Sequence, residues 1–183
     1  MNVKTEPKFP RPVDGECAPY FFRYISKVPD VDIVDFLEEQ QATFSDFIDS
    51  LTPELLHYRY APGKWSLAEM IGHVLDTERI FSYRLLCVSR GEQKSLPGFE
   101  QDDYVAGSIS DSLNGNELRD EWNASRESSI HLCKHMSAEM AARTGRANDT
   151  PVKAYAYPYM LAGHVLHHLE VAHEKYLQPG LNN

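Results

Sequence analysis

Four long segments of this 183-residue chain repeat apolar side chains at intervals of three and four, and no stretch alternates convincingly with period two. Such periodicity builds amphipathic helices and leaves little from which to make a sheet. From Val31 the apolar positions Ile33, Leu37, Phe44, Phe47, Ile48 and Leu51 describe one helical face, with Glu38, Glu39, Gln41 and Asp46 on the other. Thr52-Pro53-Glu54 stops or restarts that helix, since proline suits a first turn. After the turn Tyr60-Ala61-Pro62-Gly63-Lys64, Ser66 and Glu69 form a capping box, with Trp65 as a staple residue before it. The second helix is expected to run to about Ser89, with Leu67, Met70, Ile71, Val74, Phe81, Leu85 and Val88 facing inward. A third spans Asn114 to Met136 and includes Leu118, Trp122 and Leu132. A polar loop over Thr144–Thr150 leads to a fourth, from Thr150 or Pro151 to Leu177. Pro158 should bend this last helix, or else mark where it regularly begins.

Four helices in a chain of single-domain length make an all-α, antiparallel four-helix bundle the economical fold. It is assigned to residues 31–178. An irregular arm over 1–30, rich in proline and anchored by Tyr20, Phe21, Phe22 and Tyr24, precedes it, and a tail over 179–183 follows. The long connection from Gly91 to Ser112 has the length of a functional or mobile segment.

Charge narrows the function. Eighteen basic against 27 acidic residues give a net charge of −9, with Lys and Arg scattered. No basic stripe is available to neutralise phosphates, which argues against nucleic acid and against an anionic membrane surface. No segment approaches the ~20 apolar residues of a membrane helix. The first residues, with Lys4, Glu6, Lys8 and Arg11, lack the apolar core of a signal peptide. A soluble, cytoplasmic protein is the expectation. Cys17, Cys87 and Cys133 show no metal-binding spacing and are odd in number, so buried thiols are expected rather than disulfides. Cys133 lies between His131 and His135, which leaves a Cys–His pair as a weaker option.

The histidines carry the most specific signal. His164 and His168 stand one turn apart on one face of a helix, about 6 Å apart at Cβ. That suits two imidazoles converging on one cation. His73, beside the apolar stripe of the second helix, is placed to complete a three-histidine site with coordination positions left open. The bland alternative is a set of partly buried histidines hydrogen-bonded to carbonyls. His167 could substitute as a ligand or orient one. His131 and His135 share the four-residue spacing but lack an obvious third donor, and read as a solvated pair near a helix C-terminus. Glu69, Asp76, Glu78 and Glu170 are candidates for a general base or a further ligand, against the ordinary reading of ion-paired surface carboxylates. Asp102, Asp103 and Tyr104 could edge a lid or simply form a polar loop. Trp65, Trp122 and Tyr159 are expected in the core.

Two stretches resemble the DinB-like superfamily of four-helix-bundle proteins. One is Pro62-Gly63-Lys64-Trp65-Ser66-Leu67-Ala68-Glu69 leading to Gly72-His73-Val74-Leu75-Asp76-Thr77-Glu78. The other is Ala162-Gly163-His164-Val165-Leu166-His167-His168-Leu169-Glu170. That superfamily includes proteins described as metal-dependent hydrolases and transferases that use bacillithiol or mycothiol. The resemblance implies metal ligands at His73, His164 and His168, and a divalent ion, zinc or nickel among those expected.

The function so expected is a metal-dependent enzyme, either a low-molecular-weight-thiol S-transferase or a hydrolase. Its partner would be a small-molecule substrate, with a homodimer plausible. No HExxH-type glutamate adjoins the histidines, which favours thiol chemistry over a protease-like reaction. The alternative is a non-catalytic bundle that binds a small molecule or responds to stress, with a structural or vestigial metal site. Haem on His164 or His168 is a weaker possibility that no CxxCH motif supports.

Overall fold

A single turn of helix, α1 (Phe22–Ile25), follows a tighter turn at Pro19–Phe21 and ends the arm that leads into the bundle. The first long helix, α2 (Ile33–Asp49), opens where the Asp32 carboxylate accepts from the backbone N–H groups of Val34 and Asp35 at 2.9 and 3.2 Å. A short α3 (Pro53–Leu56) then uses Thr52 as its cap. Ser66 and Glu69 form the expected reciprocal capping box at the start of α4 (Leu67–Ser89). Asn114 and Glu117 do the same for α6 (Gly115–Lys134), after a seven-residue α5 (Gln101–Gly107). A short α7 (Ala138–Ala141), a hairpin of β1 (Thr144–Ala147) and β2 (Thr150–Lys153), and α8 (Ala156–Val171) complete the order. The last helix continues in a wider, π-type winding over Ala172–Leu177. These elements come from a computed structural model that describes residues 7–177. The tail expected over 179–183 and the first residues of the arm lie outside them.

Among the described residues the fold is mostly helical, a four-helix bundle of α2, α4, α6 and α8 with one small two-stranded sheet. Each long helix packs on two others: α2 on α6 and α8, and α4 on α6 and α8. Side-chain pairs give the directions. Gln41 meets Asn123 while Asp49 meets Arg119, so α2 and α6 run antiparallel. His73 meets His168 while Phe81 meets Tyr157, so α4 and α8 do too. Gln40 reaches Ala162 and Phe47 reaches His173, so α2 and α8 run side by side in one direction. The chain must therefore return along the bundle between α4 and α6, which also point the same way. That return, about 30 Å for a twenty-residue helix, explains the long connection after Ser89. It is ordered by α5, by Arg84 donating to the Pro97 carbonyl at 2.6 Å, and by Leu96 joining the hairpin edge.

Two expectations need correction here. The polar loop over Thr144–Thr150 is the hairpin instead: Thr144 pairs with Lys153 and Ala147 with Thr150. Asn148 and Asp149, at φ 48° and 58°, form its two-residue turn, a geometry that asparagine and aspartate tolerate. Strands of four residues are too short to show alternation, which is why the pattern did not reveal them. The hairpin delays α8 to Ala156, so Pro158 falls in its first turn. An N–H there has no intrahelical acceptor to lose, so the bend has no cause, and the alternative holds: the regular helix begins beside Pro158.

The arm is bound closely. Lys8 donates to the Cys133 carbonyl, Arg11 to the carbonyls of Ile25 and Val28, and Tyr159 to that of Phe9. Helix α1 lies on α8 where Gly163 removes a side chain: a Cβ there would sit 2.2 Å from the Tyr24 carbonyl oxygen. Gly163→Ala should thus push α1 off α8 and cost about 1–3 kcal/mol, read as a lower urea midpoint. Gly107→Ala, with nothing within 4 Å of the added methyl, should leave that midpoint unchanged.

Candidate metal centre

Helix α4 presents His73 and α8 presents His164 and His168, and the antiparallel packing brings the three rings together. Nε2 of His164 lies 3.1 Å from Nε2 of His73 and 3.1 Å from Nε2 of His168. One ring nitrogen from each residue falls within 4.8 Å of the others, and all three residues are buried. Burial pushes the His73 imidazole down to about 4. Burial, and then the neighbouring histidines, drive His164 and His168 well below the usual range.

Neutral imidazoles cannot satisfy this arrangement among themselves. Each ring nitrogen offers either one N–H or one lone pair, yet the His164 nitrogen faces two others at hydrogen-bond distance. Three ring nitrogens converging within 4.8 Å, on rings that burial keeps neutral, suit a borderline divalent cation. The donor set therefore fits the metal that the histidine spacing suggested. His167 does not join this group: it is half-buried, its ring 5.1 Å from that of His168 and 5.3 Å from that of Tyr24. His131 and His135 stack 5.8 Å apart on the exposed side of α6, and no third donor joins them among the described residues.

The candidate carboxylates have other partners. Glu69 pairs with Arg59, Asp76 with Arg79, and Glu170 with Lys27. Glu78 is buried beneath the histidines and paired with Arg126 at 2.9 Å. Arg126 also donates to Gln40 and lies over the Trp122 ring, and its charge helps hold His164 neutral. Trp122 and Tyr159 are core residues as expected. Trp65 is only partly buried and lies against His73, with ring centroids 5.0 Å apart.

A cavity of about 550 Å³ opens from His73 and His164 along the α4–α8 seam. The arm supplies Tyr20, Phe21 and Tyr24 to its wall, the hairpin Asn148 and Val152, and the long connection Phe99 and Asp102. Asp102 is thus at the mouth, in a short helix rather than a loop, and near enough to raise the affinity of His73 for a proton. Sequence reasoning missed Arg84, Arg126, Thr77 and Tyr157, which line or underlie this space. A charge interrupting an apolar stripe, as Arg126 does between Trp122 and Ile130, was the available signal.

The DinB superfamily model matches residues 37–172, a span that includes all three histidines. The chain belongs to the DinB superfamily. Among solved structures, YfiT from Bacillus subtilis, described as "a probable metal-dependent hydrolase with an unusual four-helix bundle topology", superposes with a TM-score of 0.66 at 13% identity. The match covers 80% of this chain and 89% of YfiT. The mycothiol-dependent maleylpyruvate isomerase superposes with a TM-score of 0.63 at 13% identity, over 79% of this chain and 61% of the isomerase. This DinB chain thus spans under two thirds of the isomerase's length, and at such identities both likenesses concern the fold. No match is found among curated proteins. Among the described residues no helix is long and apolar enough to cross a membrane.

The pair beneath the site makes a stability prediction. Glu78→Ala would leave the Arg126 guanidinium buried without its carboxylate and should cost about 3–5 kcal/mol. Replacing both, as Glu78→Leu with Arg126→Met, should recover most of that loss in urea unfolding.

Proposed function

We propose that this protein is a metal-dependent enzyme in which His73, His164 and His168 hold one divalent cation, zinc or nickel, and a small molecule reacts in the adjoining cavity. The observation that carries the reading is the meeting of three buried, neutral imidazoles at one end of a 550 Å³ space. When bound, such a cation supplies Lewis acidity that makes a thiol or a water molecule a better nucleophile at neutral pH.

The chain's own residues favour thiol transfer over hydrolysis. The buried carboxylate nearest in sequence to His73 on α4, Glu78, is paired with Arg126 through one oxygen and does not line the cavity, so it is not placed to take a proton from water there. Among the described residues lining the cavity the carboxylates are Glu100 and Asp102, both exposed at the mouth. None of the three cysteines lines it. A sulfur nucleophile would therefore come from a low-molecular-weight thiol rather than from the protein. Trp65 and Tyr24 flank His73 and His164 and restrict water around them. Asp102 stands where it can receive a proton from an entering thiol.

The test is metal content followed by turnover. Purified protein should carry about one divalent ion per chain, and His73→Ala/His168→Ala should carry almost none. His131→Ala should match wild type. Loaded protein should consume bacillithiol, mycothiol or glutathione with a chlorinated aromatic acceptor. Equal metal content in wild type and the double variant would remove the proposal.

A further inference from the structure

Opposite the histidines, the cavity ends in polar groups that the bundle leaves uncommitted. Arg84 is 6% exposed, and among the described residues no carboxylate lies within ion-pair distance of it. Of its five N–H groups, the single hydrogen bond found among those residues runs to the Pro97 carbonyl. The guanidinium lies 5.9 Å from the centres of both the Phe81 and Phe99 rings, which hold it in place. Tyr157 is 1% exposed, its ring lies 6.1 Å from that of Phe81, and its hydroxyl has no hydrogen-bond partner among the described residues. Thr77, between His73 and Arg84 along α4, has an unpartnered buried hydroxyl too. All three residues line the cavity.

Buried hydroxyls without partners, as on Tyr157 and Thr77, are costly unless a ligand completes them, and Arg84 lines the same cavity with N–H groups that no described residue takes up. A guanidinium presents a planar fork that matches a carboxylate, and a phenol beside it adds a third donor. We propose that Arg84 and Tyr157 bind a carboxylate of the small molecule that enters this cavity, while the opposite end of that molecule reaches the histidines. The inference rests on the reading of the cavity as the reacting site and narrows its substrate class to organic acids. From Tyr157 to His164 the rise along α8 is about 10 Å, so the acid is extended, with its charge several bonds from its reacting atom. Asp102, whose charge is felt at His73, opposes an anion at the histidine end.

The acid group has two possible carriers, the electrophile or the thiol. Hexanoate against hexanamide probes the first, and 3-mercaptopropionate against cysteamine the second. Binding is measured by calorimetry on the full chain, metal-loaded and after chelation. Wild type should prefer the acid by about tenfold in at least one pair. That preference should vanish in Arg84→Gln, fall severalfold in Tyr157→Phe, and survive chelation. Tyr157→Phe should also keep the wild-type melting temperature, since its hydroxyl bonds to nothing. It decides the matter if Arg84→Gln fails to fold. No preference in wild type, or one that both folded variants retain, overturns the proposal. So does a preference abolished by chelation, which would put the acid on the cation instead. An acid preference that depends on Arg84 in a protein carrying no metal would sink the metal reading and leave this one standing.

Discussion

Helices α4 and α8 meet along a seam whose chemistry changes from one end to the other, and the rest of the architecture supports that seam. At one end stand His73, His164 and His168, the His164 nitrogen 3.1 Å from each of the other two. Met160 and Phe81 occupy the middle, and Arg84 faces Tyr157 beyond. Antiparallel packing produces this sequence of contacts: each turn along α4 away from His73 meets an earlier turn of α8. A shift of one helical turn, about 5.4 Å, would bring different residues opposite His73 and dissolve the cluster.

The supports are of two kinds. Arg126, Glu78 and Gln40 tie all four long helices together through charge and hydrogen bonds, Gln40 reaching the Ala162 carbonyl on α8. Such a pair adds little net stability after desolvation, but it penalises any register in which one partner is left alone. Around the cavity, the wall is assembled from segments far apart in sequence: the arm, the long connection and the hairpin. Gly163 lets the arm's helix touch α8 backbone to backbone, which places Tyr24 against His164. The arm is thus part of the cavity, and the 90–114 segment is held by the same Arg84 that lines it.

Much of this was legible in the residues. Ser66 with Glu69 marks a helix start because a side-chain oxygen and a backbone N–H three residues apart satisfy each other, whatever surrounds them. The apolar intervals of α2, α4 and α6 give their faces for the same local reason. His164 and His168 share a face by helix geometry alone, and the tract around His73 resembles the DinB pattern closely enough to propose a partner. The hairpin was hidden because four-residue strands carry almost no periodicity. Pro158 was read against a helix start that the hairpin displaces. Arg84 and Tyr157 carry no motif, because their meaning depends on having no partner, which only a neighbourhood can show.

Local rules acting within a few residues therefore determined where the helices begin, which faces are apolar and that two histidines share a side. The tertiary structure alone decided that α2 runs beside α8 in the same direction and that the arm closes the cavity. It decided, too, that all four candidate carboxylates are already paired, and that among the described residues Arg84 meets no carboxylate and the Tyr157 hydroxyl no partner. These are relations between residues up to 150 positions apart. They follow from how faces, charges and bare glycine backbone fit across helices, and no short stretch of chain contains that information.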